Sequence, residues 1–134
     1  MVKKVFLGGT CNGSTWRNKM IIYLEYQGME YFNPVVEDWN AHAMENELRE
    51  RETCDFCLYG ITPKMTGTYS IAEVVDDSNK RPEKTVLVLM RDDGEERFTD
   101  EQWKSLGAVA RMVKRNGGMV FDSLKQAAAG MAAL

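Results

Sequence analysis

Short apolar runs alternate with longer stretches whose apolar residues recur at helical spacing. Lys4 to Leu7 is an apolar run that ends in Gly8-Gly9 and reads as a strand. Thr15 to Tyr26 places Trp16, Met20, Tyr23 and Leu24 on one helical face, with Ser14 or Thr15 as its cap and Gly28 just past its end. Glu30 to Phe32 is a second strand, halted by Asn33-Pro34. Trp39 to Arg51 is a polar helix with a thin stripe of Ala41, Met44 and Leu48. Phe56 to Tyr59 is a third strand, and Thr68 to Asn79 a helix that buries Ile71, Val74 and Val75. Thr85 to Met90 is the most apolar run, which predicts the most central strand. Thr99-Asp100-Glu101-Gln102 forms a capping box that opens a helix with the stripe Trp103, Leu106, Ala110 and Val113. Met119 to Phe121 is a fifth strand and Ser123 to Ala133 a last helix.

Strands alternating with helices predict an α/β fold with a parallel sheet and right-handed crossovers. Five strands suggest the flavodoxin-like (Rossmann-like) order 2-1-3-4-5, with helices on both faces and residues 1–134 as a single domain. Ligands of such sheets bind beyond the carboxyl ends of the strands, at the switch point between the first and third. The loops after Leu7, Phe32 and Tyr59 are therefore expected around one crevice.

Charge narrows the partners. The chain has 17 basic and 20 acidic residues with no block of one sign, which argues against nucleic acid. Its longest apolar run is far too short to span a bilayer, and Met1-Val2-Lys3-Lys4 opens no signal-peptide apolar segment, so the expected location is the cytosol. Three cysteines, Cys11, Cys54 and Cys57, do not make a disulfide framework. Cys54 and Cys57 match CxxC but enter a strand, where residues three apart point to opposite faces; both read as structural. The lone His42 lies on a polar helix, so no metal site is expected, and no cofactor.

The run Gly8 to Thr15 nearly matches a P-loop, but Ser14 stands where the phosphate-binding lysine belongs. What remains is a glycine loop feeding a helix N-terminus, either to hold an anion or flat ligand or simply to turn tightly. Trp16 begins an apolar stripe and defaults to core, whereas Arg17 is unfavourable beside the helix dipole and is expected at the crevice mouth on an anionic group. Trp39 is a lid or a core anchor. Glu73, in the second turn of the helix after the third strand, lies beside an apolar stripe and points at the crevice. That combination suits a nucleophile or general base with a raised pKa, although a solvated helix glutamate fits the same sequence. Tyr69, four residues earlier, is placed to orient it by a hydrogen bond.

Val5-Phe6-Leu7-Gly8-Gly9, Trp16-Arg17, Phe32-Asn33-Pro34, Asp38-Trp39, and Cys54-Asp55 through Ser70-Ile71-Ala72-Glu73-Val74-Val75-Asp76 together resemble the nucleoside 2-deoxyribosyltransferase-like family. Its members cleave the N-glycosidic bond of deoxynucleosides or nucleotides and transfer the sugar to another base or to water. The resemblance implies Glu73 as the nucleophile that holds the sugar covalently, with Glu47, eight residues before Asp55, as a substrate-positioning acid. It implies Phe6, Gly8, Gly9 and Asn33 around base or sugar, Tyr69 and Ser70 beside the sugar, and Thr10, Trp16, Arg17, Trp39, Met65 and Gly67 as further binding residues. It also implies a homo-oligomer, since family members complete their sites with a neighbouring subunit. Gly67 occupies the place of the transferases' aspartate, six residues before the glutamate, and the C-terminus lacks their aromatic tail. Hydrolysis is thus as consistent as transfer. A nucleotide-binding module without catalysis, and a NAD-cleaving domain, remain alternatives.

Overall fold

The computed structural model describes residues 1–11 and 13–134; the part of the glycine-loop reading that falls on Asn12 lies outside the described residues. The strands are β1 (Lys4–Gly9), β2 (Glu30–Phe32), β3 (Phe56–Ile61), β4 (Thr85–Leu89), β5 (Asp92–Asp93), β6 (Glu96–Arg97) and β7 (Met119–Phe121). The helices are α1 (Trp16–Tyr26), α2 (Ala41–Thr53), α3 (Tyr69–Lys80), α4 (Asp100–Arg115) and α5 (Leu124–Ala132). The main sheet is parallel throughout, in the order β2-β1-β3-β4-β7. This is the flavodoxin-like order expected from the alternation, with β1 and β3 as neighbours in the register Leu7–Leu58 and Gly9–Gly60.

Alternation along each strand divides the core in two. Val5, Leu7, Phe56, Leu58, Val86 and Val88 point to one face, where α1 and α5 supply Trp16, Met20, Leu24, Leu124 and Met131. Phe6, Cys57, Tyr59, Ile61 and Leu87 point to the other, under Val74 of α3 and Leu106 and Val113 of α4. Helices on both faces leave the sheet without a wet side, as a parallel sheet requires. Among the described residues no helix is long and apolar enough to cross a membrane.

Three expectations are corrected and one element is added. The central strand is β3, buried along its whole length, and not the more apolar β4. β3 has two strands on either side of it in the sheet, whereas β4 has only β7 beyond it, and Tyr59 and Gly60 mask this in the sequence. The second helix begins at Ala41 and not at Trp39, because the Asn40 side chain accepts from Ala43 N at 2.9 Å and caps it. A hairpin, β5–β6, follows β4; its two-residue polar strands carry no apolar alternation, and the turn rests on Gly94 at φ 63°. Finally, Cys54 and Cys57 do not face opposite sides. Cys54 closes α2 before the strand begins, and both thiols lie in the same core cluster. Both are free, buried and pushed up to about 12, chiefly by burial, in keeping with a structural role. The capping box of α4 is present in both directions, with Gln102 N to Thr99 Oγ1 at 3.1 Å and Thr99 N to Gln102 Oε1 at 2.9 Å.

Candidate functional site

β1 and β3 leave the sheet side by side, and the close approach of their ends fixes the crevice floor. Gly9 has φ +112°, and a Cβ there would stand 2.1 Å from Gly60 O; a Cβ on Gly60 would stand 2.7 Å from the Trp16 ring. The loop after β1 is then tied down by Thr10, whose N donates to Gly60 O at 2.9 Å and whose Oγ1 accepts from Thr62 N at 2.9 Å.

Arg17 completes this clamp. Its Nε donates to Leu7 O at 3.1 Å, Nη1 to Thr10 O at 2.5 Å and Nη2 to Gly9 O at 3.2 Å, while the guanidinium stacks 4.7 Å from the Trp16 ring centroid. The residue is 6% exposed, and its pKa is lowered by burial. Arg17 thus lines the cavity from beneath and does not stand free at its mouth, and its unfavourable place beside the helix dipole is compensated by the carbonyls of Leu7, Gly9 and Thr10. Trp16 is likewise core, with its indole N–H on Thr10 O at 2.7 Å. Phe6 is fully buried and stacked on Phe32 at 5.9 Å, so it presents no surface to the crevice. Asn33 is exposed and turned onto its own loop, accepting from Val35 N at 3.1 Å.

Above this floor lies a cavity of about 330 Å³, within the range of small-molecule sites. It is walled by Gly8, Gly9 and Cys11, by Pro34 to Val36 and Trp39, by Glu47, and by Tyr69, Ser70 and Glu73, with Arg17 beneath. A smaller recess of about 240 Å³ continues from it along Thr10, Met65, Thr66 and Gly67 to Tyr69 and Ser70. The loops after β1, β2 and β3 thus meet where the topology predicts.

Glu73 is the buried charge of this cavity. The second turn of α3 carries it inward beside Val74, leaving it 8% exposed. Its pKa is raised to about 7, first by burial and then by the Glu47 carboxylate, which is close enough to share a proton with it. Arg51 Nη1 approaches Glu73 Oε2 at 3.5 Å, an ion-pair contact that leaves Oε2 without a hydrogen-bond donor. The hydrogen bond expected from Tyr69 is absent among the described residues. Tyr69 is 74% exposed and forms the cavity rim with Trp39, which is 56% exposed. A buried carboxyl that is half-ionised near neutrality can accept a proton, donate one, or attack an electrophile.

Beneath Glu73 lies a group the sequence reading missed. Asp77, fully buried one turn further along α3, accepts from Tyr59 Oη at 2.5 Å and Arg51 Nη2 at 2.8 Å, with Arg81 Nε at 3.3 Å. The available signal was the pair Glu73 and Asp77 at i, i+4 on the face that also carries Val74. Two carboxylates on a buried face need cations, which Arg51 and Arg81 supply. Among the described residues no group of His, Cys, Asp and Glu is arranged to hold a metal.

A flavodoxin-like sheet with a buried glutamate facing a cavity at its switch point defines an α/β protein with a small-molecule crevice. Residues 2–93 match the family described as "Nucleoside 2-deoxyribosyltransferase like", and the chain belongs to that family. The matched segment contains β1 to β5 and therefore every residue of the cavity. No curated protein matches the chain. A solved structure described as "Crystal structure of conserved protein from Enterococcus faecalis V583" is similar over 96% of this chain and 96% of its own, at a TM-score of 0.57 and 11% identity, a likeness of fold.

Proposed function

We propose that the cavity binds a deoxynucleoside or its monophosphate and that Glu73 cleaves the N-glycosidic bond. Ionised Glu73 attacks the anomeric carbon; the bond to the base breaks, its electron pair leaves with the base, and the base takes a proton from water, which is returned when the ester is later hydrolysed. Water or a second base then attacks the glycosyl-enzyme ester and regenerates the carboxylate. The observation that carries this reading is a buried glutamate, next to a second carboxylate, on the wall of a cavity of nucleoside dimensions. Glu47 is positioned to hold sugar hydroxyls and to exchange a proton with Glu73. Gly8, Gly9, Thr10, Met65, Gly67 and Ser70 line the space for the rest of the substrate, with Tyr69 and Trp39 at its rim.

The exposed apolar residues Trp39, Met44, Leu48 and Tyr69 around the opening support assembly into a homo-oligomer that covers it. The chain's near-balanced charge supports a small molecule and not nucleic acid as partner, and we infer a cytosolic location.

The test is incubation with a mixture of nucleosides, nucleoside monophosphates and NAD, read by chromatography. Free base released from a nucleoside or nucleotide is the expected result, and Glu73→Gln should lower turnover by on the order of a thousandfold or more. Nicotinamide released from NAD instead would redirect the assignment to NAD cleavage. The raised pKa of Glu73 favours one second reading, because a protonated carboxyl donates a hydrogen bond well and attacks poorly. In that reading the protein binds a nucleotide without cleaving it, and the same chromatogram would show intact ligand retained by the protein.

A further inference from the structure

Arg51, in the last turn of α2, is 7% exposed, and a guanidinium so withdrawn from water needs fixed partners. It faces three carboxylates of α3. Nη2 donates to Asp77 Oδ1 at 2.8 Å and lies 3.7 Å from Asp76 Oδ2, while Nη1 stands 3.5 Å from Glu73 Oε2. Asp77 is held in turn by Tyr59 and Arg81, from the strand below and from the end of its own helix. Arg51 is therefore anchored on the side of Asp77, and Glu73 receives the longer, looser contact.

We propose that Arg51 is a positioning residue for Glu73, whose guanidinium, anchored by Asp77, fixes where the Glu73 carboxylate lies and how much positive charge it feels. The consequence for catalysis rests on the reading of Glu73 as the reacting group. The groups that face Glu73 come from every element packed against it. They are Glu47 and Arg51 of α2, Tyr69, Asp76 and Asp77 of α3, Tyr59 of β3, Arg17 of α1, and Cys11 in the loop after β1. Two of these are cations, and Arg17 has its donors committed to three carbonyls. Arg51 is left as the cation that answers the negative charge of Glu73. If Arg51 gave both of its terminal nitrogens to Glu73, the glutamate would be a locked carboxylate with its lone pairs engaged. Sharing with Asp77 keeps Glu73 oriented through the longer contact at Oε2 while leaving that oxygen without a hydrogen-bond donor.

The test reads the Glu73 carboxyl directly, so it does not depend on finding a substrate. The ¹³C carboxyl resonance of Glu73, assigned by its loss in Glu73→Gln, is followed from pH 4.5 to 9 in the full chain. Arg51→Gln should move its midpoint upward by about one pH unit, and Asp77→Asn should move it downward by a similar amount, since the freed guanidinium then turns to Glu73. In the double variant the effect of Asp77→Asn should fall to less than half. Arg81→Gln, on a less buried side chain, covers the case in which Asp77→Asn fails to fold: Asp77 then draws harder on Arg51, and the Glu73 midpoint should rise. The proposal is overturned if Arg51→Gln and Asp77→Asn shift Glu73 in the same direction, if Asp77→Asn acts as strongly without Arg51 as with it, or if Arg81→Gln leaves the midpoint in place. Titrations that move as stated in a protein that cleaves nothing would uphold the positioning role and remove the nucleophile reading.

Discussion

Replacing Glu73 with glutamine should make the protein more stable, and increasingly so as the pH rises. Glutamine keeps the shape of the side chain and removes its charge. In the folded chain Glu73 titrates at about 7, against an ordinary value of 4.5. Each pH unit of that gap corresponds to about 1.4 kcal/mol, so holding the ionised form in its buried place costs about 3 kcal/mol. The sign follows from proton binding. Below 4.5 the carboxyl is neutral in both states and costs nothing. Between 4.5 and 7 the folded state keeps a proton that the unfolded state has lost, and stability falls as the pH rises. Above 7 the cost is complete and constant. Glu73→Gln lacks this descent. Its stability relative to the natural protein should therefore grow by roughly 2–3 kcal/mol between pH 4.5 and 8.5. Comparing the two pH values cancels any pH-independent effect of the amide. Urea denaturation read by the fluorescence of Trp16 and Trp103 measures it. A stability difference that stays flat across this range, or that turns against the glutamine at high pH, would refute the claim that Glu73 is held ionised at a cost.

Three further outcomes follow from the same contacts. Arg17→Met should destabilise the fold by about 2–4 kcal/mol, because the carbonyls of Leu7, Gly9 and Thr10 each lose a guanidinium donor, and denaturant titration measures it. Gly9→Ala should prevent folding or cost more than about 4 kcal/mol, since φ +112° and the 2.1 Å approach to Gly60 O leave no place for a methyl group, and expression with circular dichroism checks it. With a disulfide reagent at pH 8, one thiol per chain, Cys11, should react quickly in the native protein and all three in urea; fast reaction of a second native thiol would contradict the burial of Cys54 and Cys57.

The sheet was readable from the sequence because its signals are local and redundant. Most strands of the main sheet are short apolar runs with a glycine, asparagine or proline near one end, and the helices between them carry stripes at the right spacing. The β5–β6 hairpin escaped because two-residue strands made of Asp92, Asp93, Glu96 and Arg97 read as loop. The site was readable only in part. Glu73 stands out beside Val74 on an amphipathic helix, and the loop–helix context places it at the crevice. The partners that bury Arg17 were not legible because they are main-chain carbonyls, which have no signature in a sequence. Phe6 was expected beside the substrate from the family resemblance, which does not tell whether a ring such as Phe32 covers it. Arg51 was passed over as part of a polar helix, since whether its charge meets solvent or a buried carboxylate depends on how α2 lies against α3.

The contrast between Glu73 and Asp77 carries the argument about the site. They are one turn apart on the same helix and both are buried, yet their surroundings differ in kind. Asp77 has a hydroxyl and two guanidinium groups within 3.3 Å, which is what a buried charge needs if its task is to hold a structure together. Glu73 has a second carboxylate for a neighbour, one guanidinium at 3.5 Å and an oxygen with no donor. A fold shaped for stability alone would gain by making Glu73 apolar, since nothing around it recovers what its burial costs. A carboxylate kept buried, incompletely paired and open to a cavity is therefore better explained by what enters the cavity than by what surrounds it. A sugar that develops positive charge at its anomeric carbon would supply the missing partner, and it would do so most fully when the bond to the base is breaking.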